Sequence, residues 1–88
     1  MTDSDAAAKV TRWLRWFDRH SEQVVGETQL EGVSLEELQT MFSVSSDNPM
    51  YDCFRVQAPQ VHRLERAVGA RIDLEQFEYF VEADAAES

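Results

Sequence analysis

The side chains best suited to bind a metal or to attack a substrate are His20, His62 and Cys53. They lie far apart in the sequence and form no paired spacing such as CxxC or HxxxH, which a zinc site requires. Nucleophilic catalysis needs a serine or cysteine held beside a base, and neither histidine has an evident partner of this kind. We therefore predict no catalytic residues, no metal and no cofactor, and a protein that is not an enzyme.

Carboxylates are the other groups that could carry chemistry. Asp47, Asn48 and Asp52 resemble half of a calcium-binding loop, but the glycine and the terminal glutamate of such a loop are missing. The chain has 17 acidic residues, so neighbouring pairs arise by chance and do not indicate acid–base catalysis. The glycines are isolated and form no phosphate-binding loop. These patterns favour a surface function over catalysis.

Acidic residues form a regular pattern near the end of the chain, in residues 77–84. With a period of two, an apolar face alternates with an acidic face: Phe77, Tyr79, Val81 and Ala83 against Glu78, Phe80, Glu82 and Asp84. This alternation predicts a half-buried strand of an antiparallel sheet. Its acidic face surrounds Phe80 with carboxylates, and no basic residue follows Arg71 in the sequence to neutralise them.

An aromatic ring flanked by charge is a common anchor of protein interfaces. We therefore predict that the acidic face of the last strand binds a partner, with a tryptophan, Trp13 or Trp16, as a second anchor. The predicted partner-binding residues are Asp52, Glu75, Glu78, Phe80, Glu82 and Trp16. Two other interpretations stay open: the carboxylates only keep the protein soluble, or they protect a sheet edge from aggregation.

Charge restricts the class of partner. The 88 residues allow one small domain, and its net charge is −9. Nucleic acid and anionic membranes are bound through clustered Lys and Arg, so both are expected to be repelled. A basic protein would be attracted, and a homodimer is the alternative.

No apolar run approaches the roughly 20 residues of a membrane span, and the N-terminus is acidic where a secretory signal is basic. The single cysteine agrees with a reducing compartment, so a cytoplasmic location is expected.

The elements that position this surface begin with an ambiguous segment, residues 9–18. As a helix, its apolar residues form an i, i+3, i+4, i+7 stripe, whereas as a strand Trp13 and Trp16 point to opposite faces. Its content of Val, Thr, Trp and Phe favours the strand. A polar turn and a return strand over residues 23–30 follow. We predict a β-hairpin, with one tryptophan outside the main core.

Two helices and two further strands follow the hairpin. Ser34 and Glu37 form a capping box, and Leu35 and Leu38 of the helix that it begins are expected to face the core. Gly69 is a natural stop for the second helix. The predicted elements are a helix over 35–42, a strand over 50–56, a helix from Pro59 to Val68, one turn capped by Asp73, and a strand over 77–84.

Together these elements predict an α+β fold in the order ββαβαβ. An antiparallel sheet of about four strands carries two helices on one face, and the strand order stays open. The domain is expected to span residues 9–84, with a disordered N-terminal tail over 1–8 and a mobile C-terminal tail over 85–88.

Four segments resemble a known family: WFDRHSEQVVGE, SLEELQTMF, DNPMYDCFRV and IDLEQFEYFVEAD. They look like a family of small acidic bacterial domains of unassigned function, and the resemblance covers residues 10–84. Its most specific parts are the PMYD loop at residues 49–52 and the YFVE ending at residues 79–82. Asn48 departs from the family pattern, which has an acid there. The resemblance implies an intracellular bacterial protein, with some members acting as immunity proteins against secreted toxins, and it implies no catalytic residues.

Two hypotheses about function follow from these observations. In the first, the protein is an immunity-type inhibitor whose acidic surface covers the active site of a basic toxin such as a nuclease, because such a surface competes for the Lys and Arg that bind polyanions. In the second, it is a homo-oligomeric structural or accessory module with no toxin partner. The sequence does not identify the partner or the oligomeric state.

Overall fold

The order of secondary-structure elements confirms the α+β prediction. A computed structural model describes residues 10–85, and the predicted tails over 1–8 and 85–88 lie outside these residues except for Ala85. The elements are β1 (Val10–Asp18), β2 (Val24–Gln29), α1 (Leu35–Met41), β3 (Phe54–Arg55), α2 (Ala58–Val68) and β4 (Phe77–Ala85). Neither helix in this part of the chain is long and apolar enough to cross a membrane.

The sheet has four strands in the order β2-β1-β4-β3, and each neighbouring pair is antiparallel. The central strands β1 and β4 pair along their full lengths, from Val10 opposite Ala85 to Asp18 opposite Phe77. The first and last strands of the chain are therefore neighbours. This arrangement brings the side chains of the N-terminal hairpin next to the predicted acidic strand.

The predicted hairpin of β1 and β2 is confirmed, and Asp18 stabilises its turn. The Asp18 carboxylate accepts hydrogen bonds from the backbone N–H groups of His20 and Ser21, at 2.7 and 3.1 Å. These bonds hold the pKa of Asp18 below its ordinary value, because they favour the charged form. An aspartate at the start of a turn commonly forms this arrangement.

Both helices pack on one face of the sheet, which we call the inner face. Leu38 of α1 and Leu64 of α2 are fully buried against Leu14, Tyr79 and Val81 of the two central strands. These strand positions belong to the apolar face that alternation predicted. The opposite face of the sheet, which we call the outer face, carries the alternate residues of the same strands.

Helix boundaries follow the predicted capping signals. Ser34 and Glu37 form the capping box of α1, and Gly69 ends α2 in the left-handed conformation with φ of 71°. The prediction for Leu35 is wrong: its side chain is 38% exposed, whereas Leu38 is 0% exposed. Leu35 is the first residue of the helix, and only the turn that follows it faces the core.

The predicted strand over residues 50–56 is too long, because only Phe54–Arg55 pairs with β4. Met50 has a left-handed backbone, with φ of 56°, and is buried. Its N–H donates to the side chain of Asn48, and its carbonyl accepts from the Arg12 guanidinium at 2.5 Å. These two bonds, one local and one from the distant Arg12, accompany a backbone that is not extended at Met50, and strand pairing begins only at Phe54.

Candidate functional site

The outer face collects the charged and aromatic residues that the sequence singled out on the last strand. Glu78, Phe80, Glu82 and Asp84 of β4 lie on it beside Trp13, Arg15 and Phe17 of β1. Cross-strand neighbours alternate in character: Trp13 is opposite Glu82, Arg15 opposite Phe80 and Phe17 opposite Glu78. The outer face is therefore a mixed surface of aromatic rings and ion pairs, more varied than the acidic strand predicted from sequence.

Arg15 lies at the centre of a network that we call the Arg15 cluster, made of Arg15, Glu27, Glu82 and Asp84. Its guanidinium contacts Glu27 at 2.7 Å, Glu82 at 2.6 Å and Asp84 at 2.8 Å. These carboxylates come from β2 and β4, on either side of β1. The contacts raise the pKa of Arg15, with Asp84 the largest cause, and Arg15 lowers the pKa of Asp84. The cluster thus holds three acids around one base.

A second network joins Glu78 to two arginines, Arg19 and Arg55. The Glu78 carboxylate lies 3.4 Å from the Arg19 guanidinium and 3.2 Å from that of Arg55. Arg19 also donates to the backbone carbonyl of Leu74, at 2.9 and 2.7 Å. This network therefore has two guanidinium groups for one carboxylate, whereas the Arg15 cluster has one guanidinium group for three carboxylates.

The expectation that no basic residue neutralises the acidic face is wrong. Arg15 pairs with Glu82 and Asp84, and Arg19 with Arg55 pairs with Glu78. These three arginines precede Arg71 in the sequence and reach β4 across the sheet. Alternation along β1 could have placed Arg15 on the same face as Trp13, but the neighbours of β1 could not be read from sequence.

The aromatic residues of the outer face pack against each other and against Arg15. The rings of Phe17 and Phe80 meet edge to face, with 5.7 Å between their centroids. The Arg15 guanidinium lies over the Trp13 ring, 5.3 Å from its centroid. All of these side chains are half-buried. The rings therefore present part of their surface to solvent in fixed orientations.

Trp16 lies on the inner face, so the prediction that the two tryptophans point to opposite faces is confirmed. Its ring stacks on Tyr79 with 5.4 Å between centroids and 29° between planes. It also lies close against Gly26 of β2: a Cβ at that position would be 2.6 Å from the Cε2 atom of Trp16. The sheet thus separates Trp16 from the predicted binding residues Glu78, Phe80 and Glu82, and Trp13 is the tryptophan on the outer face.

Asp52 and Glu75, two further predicted binding residues, are exposed in loops. Asp52 precedes β3, and Glu75 lies in the turn before β4, where its N–H donates to the carboxylate of Asp73 at 3.0 Å. No residue among those described forms an ion pair with either carboxylate. These two groups therefore contribute negative charge that the arginines of the outer face do not offset.

The three side chains best suited to bind a metal or attack a substrate, His20, His62 and Cys53, lie in different parts of the fold. His20 is in the turn after β1, His62 is on the exposed side of α2, and Cys53 lies beside β4. The Cys53 thiol donates to Glu82 at 3.4 Å, and burial, together with this carboxylate, raises its pKa to about 11. A thiol with a raised pKa is a poor nucleophile at neutral pH. Within residues 10–85, no three His, Cys, Asp or Glu side chains form a group that could hold a metal ion.

Comparisons with known proteins place the chain in a family without assigning it a function. No curated protein matches the sequence. The family described as "Domain of unknown function (DUF7683)" matches residues 11–82. This range runs from the second residue of β1 into β4 and includes every residue of the two charged networks of the outer face except Asp84. The chain therefore belongs to the DUF7683 family of domains of unknown function.

Proposed function

We propose that the protein is a non-catalytic protein-binding domain that contacts its partner through the outer face. The observation that carries this proposal is the set of half-buried rings of Trp13, Phe17 and Phe80 among fixed ion pairs, on the face opposite both helices. Aromatic residues and arginine are enriched at the centres of protein interfaces. Side chains that are already held by neighbours lose little conformational entropy on binding.

The charge of this surface favours a basic partner. The Arg15 cluster contains three carboxylates and one guanidinium, and Asp52 and Glu75 add unpaired carboxylates within residues 10–85. The whole chain carries a net charge of −9. Electrostatic attraction would raise the association rate with a positively charged surface.

The specific form of the proposal is an immunity-type inhibitor in the bacterial cytoplasm. A nuclease toxin binds a polyanion through Lys and Arg, and an acidic protein surface competes for the same groups. The resemblance to domains that act as immunity proteins supports this form.

A capture experiment from native lysate tests the proposal with the intact chain as bait. The test variant is Asp52→Lys with Glu75→Lys, which reverses two exposed charges in the loops before β3 and β4 without touching an ion pair. The matched control is Glu31→Lys with Glu36→Lys, which makes the same charge change near α1. We expect one basic protein to be retained by wild type and control, lost from the test variant, and released as salt rises. Equal retention by all three baits would contradict a partner site that uses Asp52 and Glu75.

The homo-oligomeric alternative is favoured by a different observation, the exposed edge of β2. Val24 and Val25 are 55% and 51% exposed, and β2 pairs only with β1 among the described strands. Exposed edge strands are templates for pairing with another chain. Light scattering of the purified protein decides this alternative: a dimer that Val25→Lys dissociates would support it, and a monomer at all concentrations would contradict it.

A further inference from the structure

A small cavity lies on the inner face, between the β-hairpin and the C-terminal end of α2. Its volume is about 90 Å³, and its lining includes Leu14, Trp16, Val68, Ile72, Tyr79 and Arg71. The cavity is on the opposite side of the sheet from the outer face. It is therefore a separate feature from the surface proposed to bind a protein.

Contacts outside the cavity hold its walls in place. The Trp16 ring is fixed between Tyr79 and the backbone of Gly26. The Tyr79 hydroxyl accepts from the N–H of Asp73 at 3.1 Å, and the Ile72 N–H donates to the Glu65 carboxylate at 2.8 Å. Residues held in this way cannot move inward to fill the space. The void is consequently part of the native packing, in contrast to the dense packing of an ordinary core.

The size and lining of the cavity suit a short branched aliphatic group. Leu14, Ile72 and Tyr79 are buried and present apolar surface to it. Its volume of about 90 Å³ is smaller than the roughly 150 Å³ of an engineered apolar cavity that binds benzene. A drug-sized ligand occupies roughly 300 Å³ or more and is too large. The cavity therefore suits an aliphatic group of three or four carbon atoms, smaller than benzene or a drug-sized ligand.

Arg71 supplies a cation at this apolar site. Four other arginines, Arg15, Arg19, Arg55 and Arg63, pair with carboxylates, whereas Arg71 has no such partner within residues 10–85. Arg71 is exposed and also lines the cavity. Guanidinium groups bind carboxylates through two parallel hydrogen bonds. An exposed arginine that lines an apolar cavity and pairs with no carboxylate among residues 10–85 thus matches a ligand with a short apolar end and a carboxylate.

We propose that this cavity binds a carboxylate attached to a branched aliphatic group of three or four carbons. The aliphatic group fills the space against Trp16 and Ile72, and Arg71 pairs with the carboxylate. A free short-chain acid and the C-terminal residue of a polypeptide both have this chemistry. The site goes beyond the proposed protein-binding function, because it uses neither the Arg15 cluster nor Glu78.

Backbone NMR titration of the intact chain tests the site. The probes are 3-methylbutanoate and its neutral isostere 3-methylbutanamide. We expect 3-methylbutanoate to cause saturable shifts at Ala70, Arg71 and Ile72, and the amide to bind about tenfold more weakly or worse, since an ionic hydrogen bond is lost. N-acetyl-alanyl-valine and its C-terminal amide form the second arm. Tighter binding of the peptide acid than of 3-methylbutanoate identifies a polypeptide C-terminus as the source, and the reverse order identifies a free acid.

Two variants separate a site at Arg71 from a general effect of charge. Arg71→Gln is expected to weaken 3-methylbutanoate about tenfold. Arg66→Gln is the matched control, because Arg66 is an exposed arginine of α2 that is also outside every ion pair among the described residues. Thr28→Leu adds bulk at a residue that lines the cavity and should abolish the saturable shifts. Equal weakening by both arginine variants, or no saturable shift at the cavity, would overturn the proposal.

Discussion

The Arg15 guanidinium lies 2.6 Å from the Glu82 carboxylate, although 67 positions separate the two residues in the sequence. Arg15 is directly opposite Phe80, so it reaches Glu82 along a diagonal of the β1–β4 pair. The same guanidinium contacts Glu27 on the other neighbouring strand. Arg15 therefore links three strands, and it is the residue on which the charge balance of the outer face depends.

Replacing Arg15 should destabilise the protein in a salt-dependent way. Arg15→Gln keeps most of the side chain but leaves Glu27, Glu82 and Asp84 to repel one another. We expect the free energy of unfolding in urea to fall by about 1 kcal/mol at low salt. The loss should shrink in about 1 M NaCl, where the Debye length is only about 3 Å. Arg66→Gln is the control, and an equal loss for both variants at low salt would contradict the role of the cluster.

Stability should decrease as pH falls through the aspartate range. Asp18 has a lowered native pKa because backbone N–H groups of Ser21 and His20 bond to its carboxylate. The native state then binds fewer protons than the unfolded state, so this stabilisation is present above the unfolded pKa of about 3.9 and is lost as pH falls through the lower native value. Asp18→Asn removes the titration but keeps an accepting oxygen.

Urea unfolding from pH 6 downward measures this effect. The stability curve of Asp18→Asn should be flatter than that of wild type in the acid range. Asp52→Asn serves as the control, because Asp52 is exposed and has no ion pair among the described residues. An Asp18→Asn curve that runs parallel to the wild-type curve would show that the turn hydrogen bonds do not couple folding to pH.

Gly26→Ala should destabilise the protein through Trp16. The added methyl would lie 2.6 Å from Cε2 and 3.0 Å from Nε1 of the indole ring, which cannot retreat because it stacks on Tyr79. We expect a loss of about 1–3 kcal/mol in the free energy of unfolding, typical of overpacking. In a Trp16→Leu background the same substitution should cost much less. A loss that is identical in both backgrounds would assign the effect to the backbone of β2 instead.

Gln39 should be required for the loop that precedes β3. It is a buried polar residue, 6% exposed, and its amide donates to the carbonyls of Ser46 at 3.0 Å and Asn48 at 2.7 Å. Gln39→Leu leaves both carbonyls without this donor and should lower the free energy of unfolding by about 1–3 kcal/mol. Gln39→Glu should be worse at neutral pH, because it places a negative charge against two carbonyl oxygens. Thermal or urea unfolding that ranks Gln39→Glu above Gln39→Leu in stability would contradict this account.

Cys53 should react slowly with alkylating reagents. Its pKa is raised to about 11 by burial and by the Glu82 carboxylate, so very little thiolate is present at pH 8. With an unfolded pKa of about 8.5, iodoacetamide should modify the native protein about a hundredfold more slowly than the urea-unfolded chain. Glu82→Gln should increase the native rate, because it removes a negative charge beside the thiol. Equal rates in the native and unfolded states would contradict the raised pKa.

Local signals predicted most of the elements because their causes act over a few residues. The Ser34–Glu37 capping box, the stop at Gly69 and the alternation along β4 each depend on neighbours within one turn or one strand. The predicted third strand was too long at its start, where a residue distant in the sequence contacts the backbone. Arg12 of β1 binds the carbonyl of Met50, and this long-range contact accompanies the left-handed backbone that precedes β3.

The sequence by itself determined the class of fold, the two faces of the hairpin and of β4, and the acidic character of the chain. Only the tertiary structure decided the strand order β2-β1-β4-β3, and with it the partners of each charged side chain. The physical reason is that alternation fixes which face a side chain occupies but carries no information about the strand beside it. Burial of Leu14, Tyr79 and Val81 against the helices sets the register in which β1 pairs with β4. Glu82 thereby meets Arg15 and becomes part of an ion-pair network, whereas the sequence alone placed it on an unpaired acidic strand.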